Sequence, residues 1–117
     1  MKPSILRKKI DSLSCISFEE KDGIIILIDE LMDKRYKINS VAYTICQLID
    51  GNRSILDICD ELTKIYGIDV KEVQDDVYDF YKFLKKNKLI IMKGTLCYKV
   101  ILFYQYCIRI NSINEVK

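Results

Sequence analysis

The spacing of apolar residues changes from every second position to every third or fourth position at Asn39-Ser40. Before this point, residues 15–20, 24–28 and 34–38 are rich in alternating or β-branched apolar side chains, a pattern typical of β-strands. After it, apolar residues recur at helical spacing. A run of strands followed by a run of helices predicts an α+β domain, because each half needs the other to bury its apolar face.

Short connections join the three predicted strands. Lys21-Asp22-Gly23 has the composition of a tight turn, since glycine adopts a positive φ without strain. Strands that follow one another through short turns form an antiparallel meander, so we predict a three-stranded antiparallel sheet. Residues 34–38 would then form an edge strand whose outer N–H and C=O groups have no partner.

Capping residues predict where each of three helices begins and ends. Together, the three helices are typical of a small winged-helix-like bundle. Asn39 or Ser40 caps the first helix, and Gly51 is expected to end it in the left-handed conformation. Ser54 caps the second helix, which ends at Gly67.

The third helix carries the widest apolar surface. Asp69 and Glu72 predict a capping box at its start, and it ends near Asn87. At about 100° per residue, seven apolar side chains share one broad arc of this helix. They are Val70, Val73, Val77, Phe80, Tyr81, Phe83 and Leu84.

The chain divides into three segments. We predict a basic N-terminal tail over residues 1–13, the folded domain over 14–91 and a C-terminal extension over 92–117. Within the extension, every even position from Leu96 to Ile110 is apolar, which favours a strand. A helix is the alternative prediction for this segment, because two further apolar residues at odd positions break the alternation.

Composition excludes most catalytic chemistry. The chain has no histidine, and its five cysteines include no pair separated by only two residues, which argues against a zinc site. An odd number of cysteines without a signal peptide favours buried thiols in a reducing cytoplasm. Asp75 and Asp76 point about 100° apart on a helix, so they cannot form a carboxylate dyad. We therefore predict a cytoplasmic protein that is not an enzyme, has no cofactor and does not enter the membrane.

Nucleic-acid binding by a winged helix is the alternative function. Residues 54–84 contain three basic and eight acidic side chains, and several of these carboxylates, including Glu72, lie on the third helix. Carboxylates on a recognition helix would repel phosphate, so we expect no nucleic-acid partner. The alternative stays open through a basic wing formed by Lys85, Lys86, Lys88, Lys93, Lys99 and Arg109.

The order of these motifs resembles the PqqD family over residues 35–90. The resemblance rests on Ile38-Asn39-Ser40, Ala42, Ile45, Leu48, Asp50-Gly51-Asn52-Arg53-Ser54, Ile58, Leu62, Tyr66-Gly67, Asp76-Val77, Phe80 to Leu84 and Leu89-Ile90. Lys88 departs from the pattern, because the family usually has glycine before the final apolar pair. The extension after this pair also lies outside the resemblance.

This resemblance implies a chaperone that binds the leader segment of a ribosomally made precursor peptide. The leader would add as a strand to the third strand, lie against the third helix and be presented to a maturation enzyme such as a radical SAM protein, a protease or a cyclase. Basic residues on the strand favour an acidic peptide, although they could serve only to protect the edge from aggregation. An exposed edge also allows strand exchange, so a dimer is a further expectation.

The predicted peptide site combines the edge strand with one flank of the third helix. Tyr78 and Tyr81 mark the favoured flank, and Phe83 marks the other candidate, because the sequence does not show which flank faces the strand. The residues assigned to the site are Lys34, Arg35, Tyr36, Lys37, Ile38, Val73, Val77, Tyr78, Tyr81, Leu84 and Lys85.

Overall fold

The computed structural model of the chain describes residues 3–93. In chain order its elements are α1 (Pro3–Leu6), β1 (Ile10–Leu13), β2 (Ile16–Lys21), β3 (Ile24–Asp29), β4 (Lys34–Ile38), α2 (Ser40–Leu48), α3 (Ile55–Tyr66), α4 (Val70–Lys86) and β5 (Ile90–Met92). The α+β class is confirmed, and the three predicted strands correspond to β2, β3 and β4. None of the described helices is long and apolar enough to cross a membrane.

The central sheet is antiparallel with the order β2-β3-β4, as predicted. Asp22 and Gly23 connect β2 to β3 and both have positive φ, 54° and 78°, which is the geometry of a type I′ turn. Leu27 in the middle strand is fully buried. The sheet therefore packs one face against the helices, and β4 forms one of its edges.

The start of α2 agrees with the sequence, but its end does not. The Asn39 side chain accepts a hydrogen bond of 2.8 Å from the Ala42 N–H and caps the helix. The helix ends at Leu48 with Ile49 as its C-cap, so the prediction that Gly51 caps it was wrong. Gly51 has a φ of 83°, and a Cβ there would lie 3.2 Å from the backbone oxygen of Asp11. Glycine fits this position because it adopts the positive φ without strain and adds no Cβ against the N-terminal segment.

The other two helices differ in how they begin. Ser54 caps α3 as predicted, and Asp57 completes a capping box by accepting a 2.9 Å hydrogen bond from the Ser54 N–H. Gly67 ends α3 in the left-handed conformation, also as predicted. The capping box predicted at Asp69 was wrong, because the Asp69 side chain makes no capping hydrogen bond.

A second, two-stranded sheet forms where the sequence predicted a tail. β1 pairs antiparallel with β5, and Ile10 is 3% exposed within the core. The Lys93 N–H donates to the Lys9 carbonyl at 3.0 Å, and the Lys93 ammonium donates to the Gly51 carbonyl at 2.9 Å. The folded domain therefore includes residues before position 14.

Most predictions for the C-terminal extension concern residues that the structure does not describe. The strand expected from Leu96 to Ile110 lies outside the described residues. Lys99 and Arg109 of the alternative basic wing lie outside them too, as do the last two cysteines.

Candidate functional site

The outer edge of β4 has no partner strand among residues 3–93. The hydrogen-bonding direction of each residue follows from the type I′ turn, which closes the pair Lys21–Ile24 with a backbone hydrogen bond. Bonded and non-bonded pairs alternate along antiparallel strands. Ile24 and its alternate neighbours in β3 therefore bond to β2, whereas Ile25 and Leu27 bond to β4.

The same alternation decides which groups of β4 are free. Leu27 pairs with Tyr36, and Ile25 pairs with Ile38, so these β4 residues direct their N–H and C=O groups into the sheet. The intervening residues, Arg35 and Lys37, direct theirs outward. Two residues of an added strand could thus form hydrogen bonds with this edge.

The side chains of β4 divide between the two faces of the sheet. Tyr36 and Ile38 are half-buried on the face that packs on the helices, whereas Arg35 and Lys37 are exposed on the other face. The Arg35 guanidinium donates to the Glu19 carboxylate at 2.8 Å, with both side chains about 60% exposed. An ion pair this exposed contributes little to stability, so Arg35 remains available to a ligand.

An apolar groove lies between the end of β4, the start of α2 and one flank of α4. It consists of two adjoining cavities of about 310 and 250 Å³, and both are lined by Asn39, Ala42, Phe80 and Phe83. The first extends to Val41, Ile45, Asp76 and Asp79, and the second to Lys37 and Ile38. We refer to these two cavities together as the β4–α4 groove.

Aromatic rings connect β4 to α4 along this groove. The Tyr36 and Phe83 rings meet edge to face with centroids 5.1 Å apart, and Phe80 stacks on Phe83 at 5.8 Å. The Tyr36 hydroxyl donates to Asn87 Oδ1 at 3.4 Å, and Asn87 Nδ2 donates to the Phe83 carbonyl at 2.9 Å. These contacts hold the strand and the helix at a spacing that leaves the groove open.

Charge is distributed unevenly around the groove. Asp76 and Asp79 line its α2 end, and Asp79 forms a 3.5 Å ion pair with Lys82. Asp76 has no ion-pair partner among the described residues. β4 carries exposed basic side chains, of which Lys37 lines the groove, so the groove has one acidic end and adjoins a basic strand.

The structure separates the predicted site residues into three groups. Lys34, Arg35, Tyr36, Lys37 and Ile38 form β4 beside the groove. Four others are buried and form the face of α4 that packs into the core, out of reach of a ligand: Val73, Val77, Tyr81 and Leu84. The Tyr81 hydroxyl is buried without a hydrogen-bond partner among the described residues.

The remaining two, Tyr78 and Lys85, lie on the opposite flank of α4. Tyr78 is about 140° from Phe83 around the helix axis, and the Lys82 ammonium lies 4.6 Å from its ring centroid. The flank that the sequence favoured therefore faces away from β4, and the Phe83 flank faces it.

Sequence reasoning left four groove residues of α4 out of the site. Asp76, Asp79, Phe80 and Phe83 follow the spacing i, i+3, i+4 and i+7, so they form one helical stripe beside the buried stripe. This stripe could be recognised in the sequence. Its orientation toward β4 depends on how α4 packs against the sheet, which local spacing does not define.

The described residues offer no metal-binding cluster, and their two buried thiols are protonated. Within residues 3–93, no cluster of His, Cys, Asp and Glu could hold a metal ion. Desolvation raises the pKa of the Cys46 thiol to about 12 and that of Cys59 to about 11, so both stay protonated at neutral pH. Free backbone groups beside an apolar groove are suited to an extended peptide.

Comparison with known proteins gives one family and two solved structures. The model of the PqqD family, described as coenzyme PQQ synthesis protein D, matches residues 25–90. A structure of TbiB1 in complex with the TbiA(beta) leader peptide has a TM-score of 0.57 at 20% identity, over 74% of this chain and 99% of that chain. A structure of lasso peptide synthetase B1 complexed with the leader peptide has a TM-score of 0.57 at 21% identity, over 73% of this chain and 98% of that chain. The curated protein sequences gave no significant match.

Proposed function

This chain belongs to the PqqD family, and we propose that it binds the leader segment of a ribosomally made precursor peptide and presents that peptide to a maturation enzyme. The observation that carries the proposal is the outer edge of β4, which has no partner strand in the described part of the chain and opens directly into the β4–α4 groove. A peptide added to this edge would satisfy the outward backbone groups and cover the apolar wall of α4 in one step.

Backbone and side chains would have different roles in this binding. Hydrogen bonds to the backbone of Arg35 and Lys37 form with any peptide residue except proline at the facing positions, and each contributes only about 0.5–1.5 kcal/mol net. Selectivity must therefore come from the side chains of the peptide. Alternate residues of the added strand would face Ala42, Phe80 and Phe83, so we expect two apolar residues separated by one position.

The two similar structures support this proposal. Both are complexes of a B1 protein with a leader peptide, and each aligns over nearly the whole length of that protein. The family model matches residues 25–90, which include β4, α2 and α4, the elements that form the groove. The same kind of ligand is therefore our proposal for this chain.

Chemical modification of the peptide would be the task of a separate enzyme, which we propose to be a radical SAM protein, a protease or a cyclase. The role of this chain is then to raise the local concentration of the substrate near that enzyme. We place this assembly in the cytoplasm, where ribosomal peptides are made.

A displayed library of random 16-residue peptides provides the test, because it requires no known precursor. We expect enrichment of peptides with alternating apolar residues, and titration of a labelled enriched peptide should saturate. Hydrogen exchange measured with and without that peptide should show new protection at the Arg35 and Lys37 amides. Enriched peptides that bind without protecting these amides would contradict strand addition.

A further inference from the structure

We propose that the groove selects peptides by the order of their charges, with a basic residue preceding the apolar pair and acidic residues alternating with it. This inference rests on the proposed function, and it assigns to Asp76 a role in specificity. In order from the N-terminus, the preferred segment is basic, any residue, apolar, acidic, apolar, acidic.

The direction of the peptide follows from the strand to which it adds. β2, β3 and β4 are joined in antiparallel pairs, and antiparallel pairing is the more stable arrangement per residue. A peptide antiparallel to β4 has its N-terminal end beside Ile38 and its C-terminal end beside Lys34. Its N-terminal residues therefore extend past the end of β4 toward α2.

The α2 end of the groove is where the carboxylates lie. Asp76 and Asp79 line the cavity that also contains Asn39, the residue that follows β4. Asp79 already has Lys82 at 3.5 Å, whereas Asp76 has no cation paired with it in the described part of the chain. A basic peptide residue that faces the groove at this point would provide that partner.

The other face of the peptide meets charges of the opposite sign. Peptide residues directly opposite Arg35 and Lys37 share the outer face of the sheet with those side chains. Acidic residues at these positions would pair with them. Because faces alternate along a strand, acidic positions fall between the apolar ones.

Charged residues along one side of α4 favour the same order of charges in the peptide. Asp79 and Lys86 lie seven residues apart, which places them on the same side of α4 about two turns from each other. This side of α4 thus changes from acidic to basic in the direction that runs along β4 from Ile38 to Lys34. A peptide with the reverse order of charges would meet like charge at both ends.

Two synthetic peptides of identical composition test the inference. One carries the preferred order, and in the other the basic residue and the C-terminal acidic residue exchange places, while all other residues stay in place. We expect the first to bind about fivefold more tightly at low salt, with the preference falling at high salt as exposed charges are screened.

The variant Asp76→Lys should reduce or reverse this preference. Asp75→Lys is the matched control, because it makes the same change of charge one residue away, outside the groove lining. The inference is supported if only Asp76→Lys changes the ratio of the two affinities.

The two proposals fail in different ways. Equal affinities for both peptides, or equal effects of the two variants, would overturn the charge order and leave peptide binding intact. Failure of both peptides to bind, together with no library enrichment, would overturn the proposed function itself.

Discussion

Proline at position 37 should block peptide binding while the fold survives. The N–H of Lys37 points away from β3, so Lys37→Pro removes no hydrogen bond from the sheet. It would place the proline ring where an added strand must approach, and it would leave the facing peptide carbonyl without a donor.

The size of the effect follows from these two losses. One backbone hydrogen bond contributes about 0.5–1.5 kcal/mol, and an unsatisfied buried partner costs about 1–3 kcal/mol. We therefore expect about 1.5–4.5 kcal/mol weaker binding, which is roughly a tenfold to two-thousandfold rise in Kd. Fluorescence anisotropy with a labelled library-selected peptide would measure it.

Two control variants separate the causes. Lys37→Ala removes the same charge and keeps the N–H, so the difference between the two variants isolates the backbone effect. Glu20→Pro introduces proline at an outward-facing position on β2, the other edge of the same sheet, and should leave binding unchanged. Equal losses for Lys37→Pro and Lys37→Ala, or an equal loss for Glu20→Pro, would refute strand addition at β4.

Four further predictions concern the groove and the stability of the fold. Phe83→Ala should weaken peptide binding by about 1–3 kcal/mol because it removes the ring that contacts Tyr36 and Phe80, whereas Tyr78→Ala on the opposite flank should leave binding unchanged. Weaker binding in Tyr78→Ala alone would show that the peptide binds on the flank favoured by the sequence. Cys46 and Cys59 should resist iodoacetamide at pH 8 in the folded protein and react in urea, because burial raises the pKa of both thiols; rapid native labelling, detected by mass spectrometry, would contradict this. Hydrogen bonds from Ser54, chiefly from its N–H and then from its hydroxyl, lower the pKa of Asp57 in the folded state, so the stability they contribute is present at neutral pH and is lost as pH falls through that lowered value. In urea denaturation, the free energy of unfolding of Asp57→Asn should therefore decrease less with falling pH than that of the unchanged protein. Identical pH profiles for the two proteins would exclude the contribution. Gly51→Ala should cost about 1–3 kcal/mol of unfolding free energy, and more than Gly23→Ala, because only at Gly51 would the new Cβ meet the Asp11 backbone; equal losses in chemical denaturation would show that φ alone is responsible.

Local signals in the sequence were sufficient for most elements of this fold. The period of apolar residues located β2, β3 and β4, and Asn39, Ser54 and Gly67 marked helix ends that the structure confirms. These features depend on residues close together in the chain, and so spacing and capping chemistry reveal them.

Features that depend on distant contacts were missed. β1 has only four residues, and its partner β5 lies at the far end of the domain, so no local pattern distinguished it from a tail. The sequence favoured the wrong flank of α4 for the same reason, because the packing of this helix depends on residues far away in the chain. Tyr78 and Phe83 are both half-buried aromatic residues, and only the packing of α4 against β4 shows which one lines the groove.

The pairing of β1 with β5 has a consequence for protein architecture. Because Lys9 and Lys93 are joined by a backbone hydrogen bond of 3.0 Å, the segment between them, which contains both sheets and α2, α3 and α4, begins and ends at almost the same point. A domain with adjacent entry and exit can be inserted into a loop of another protein without forcing that loop apart. The fold is therefore suited to transfer as a cassette, either grafted into an enzyme or circularly permuted through a short linker.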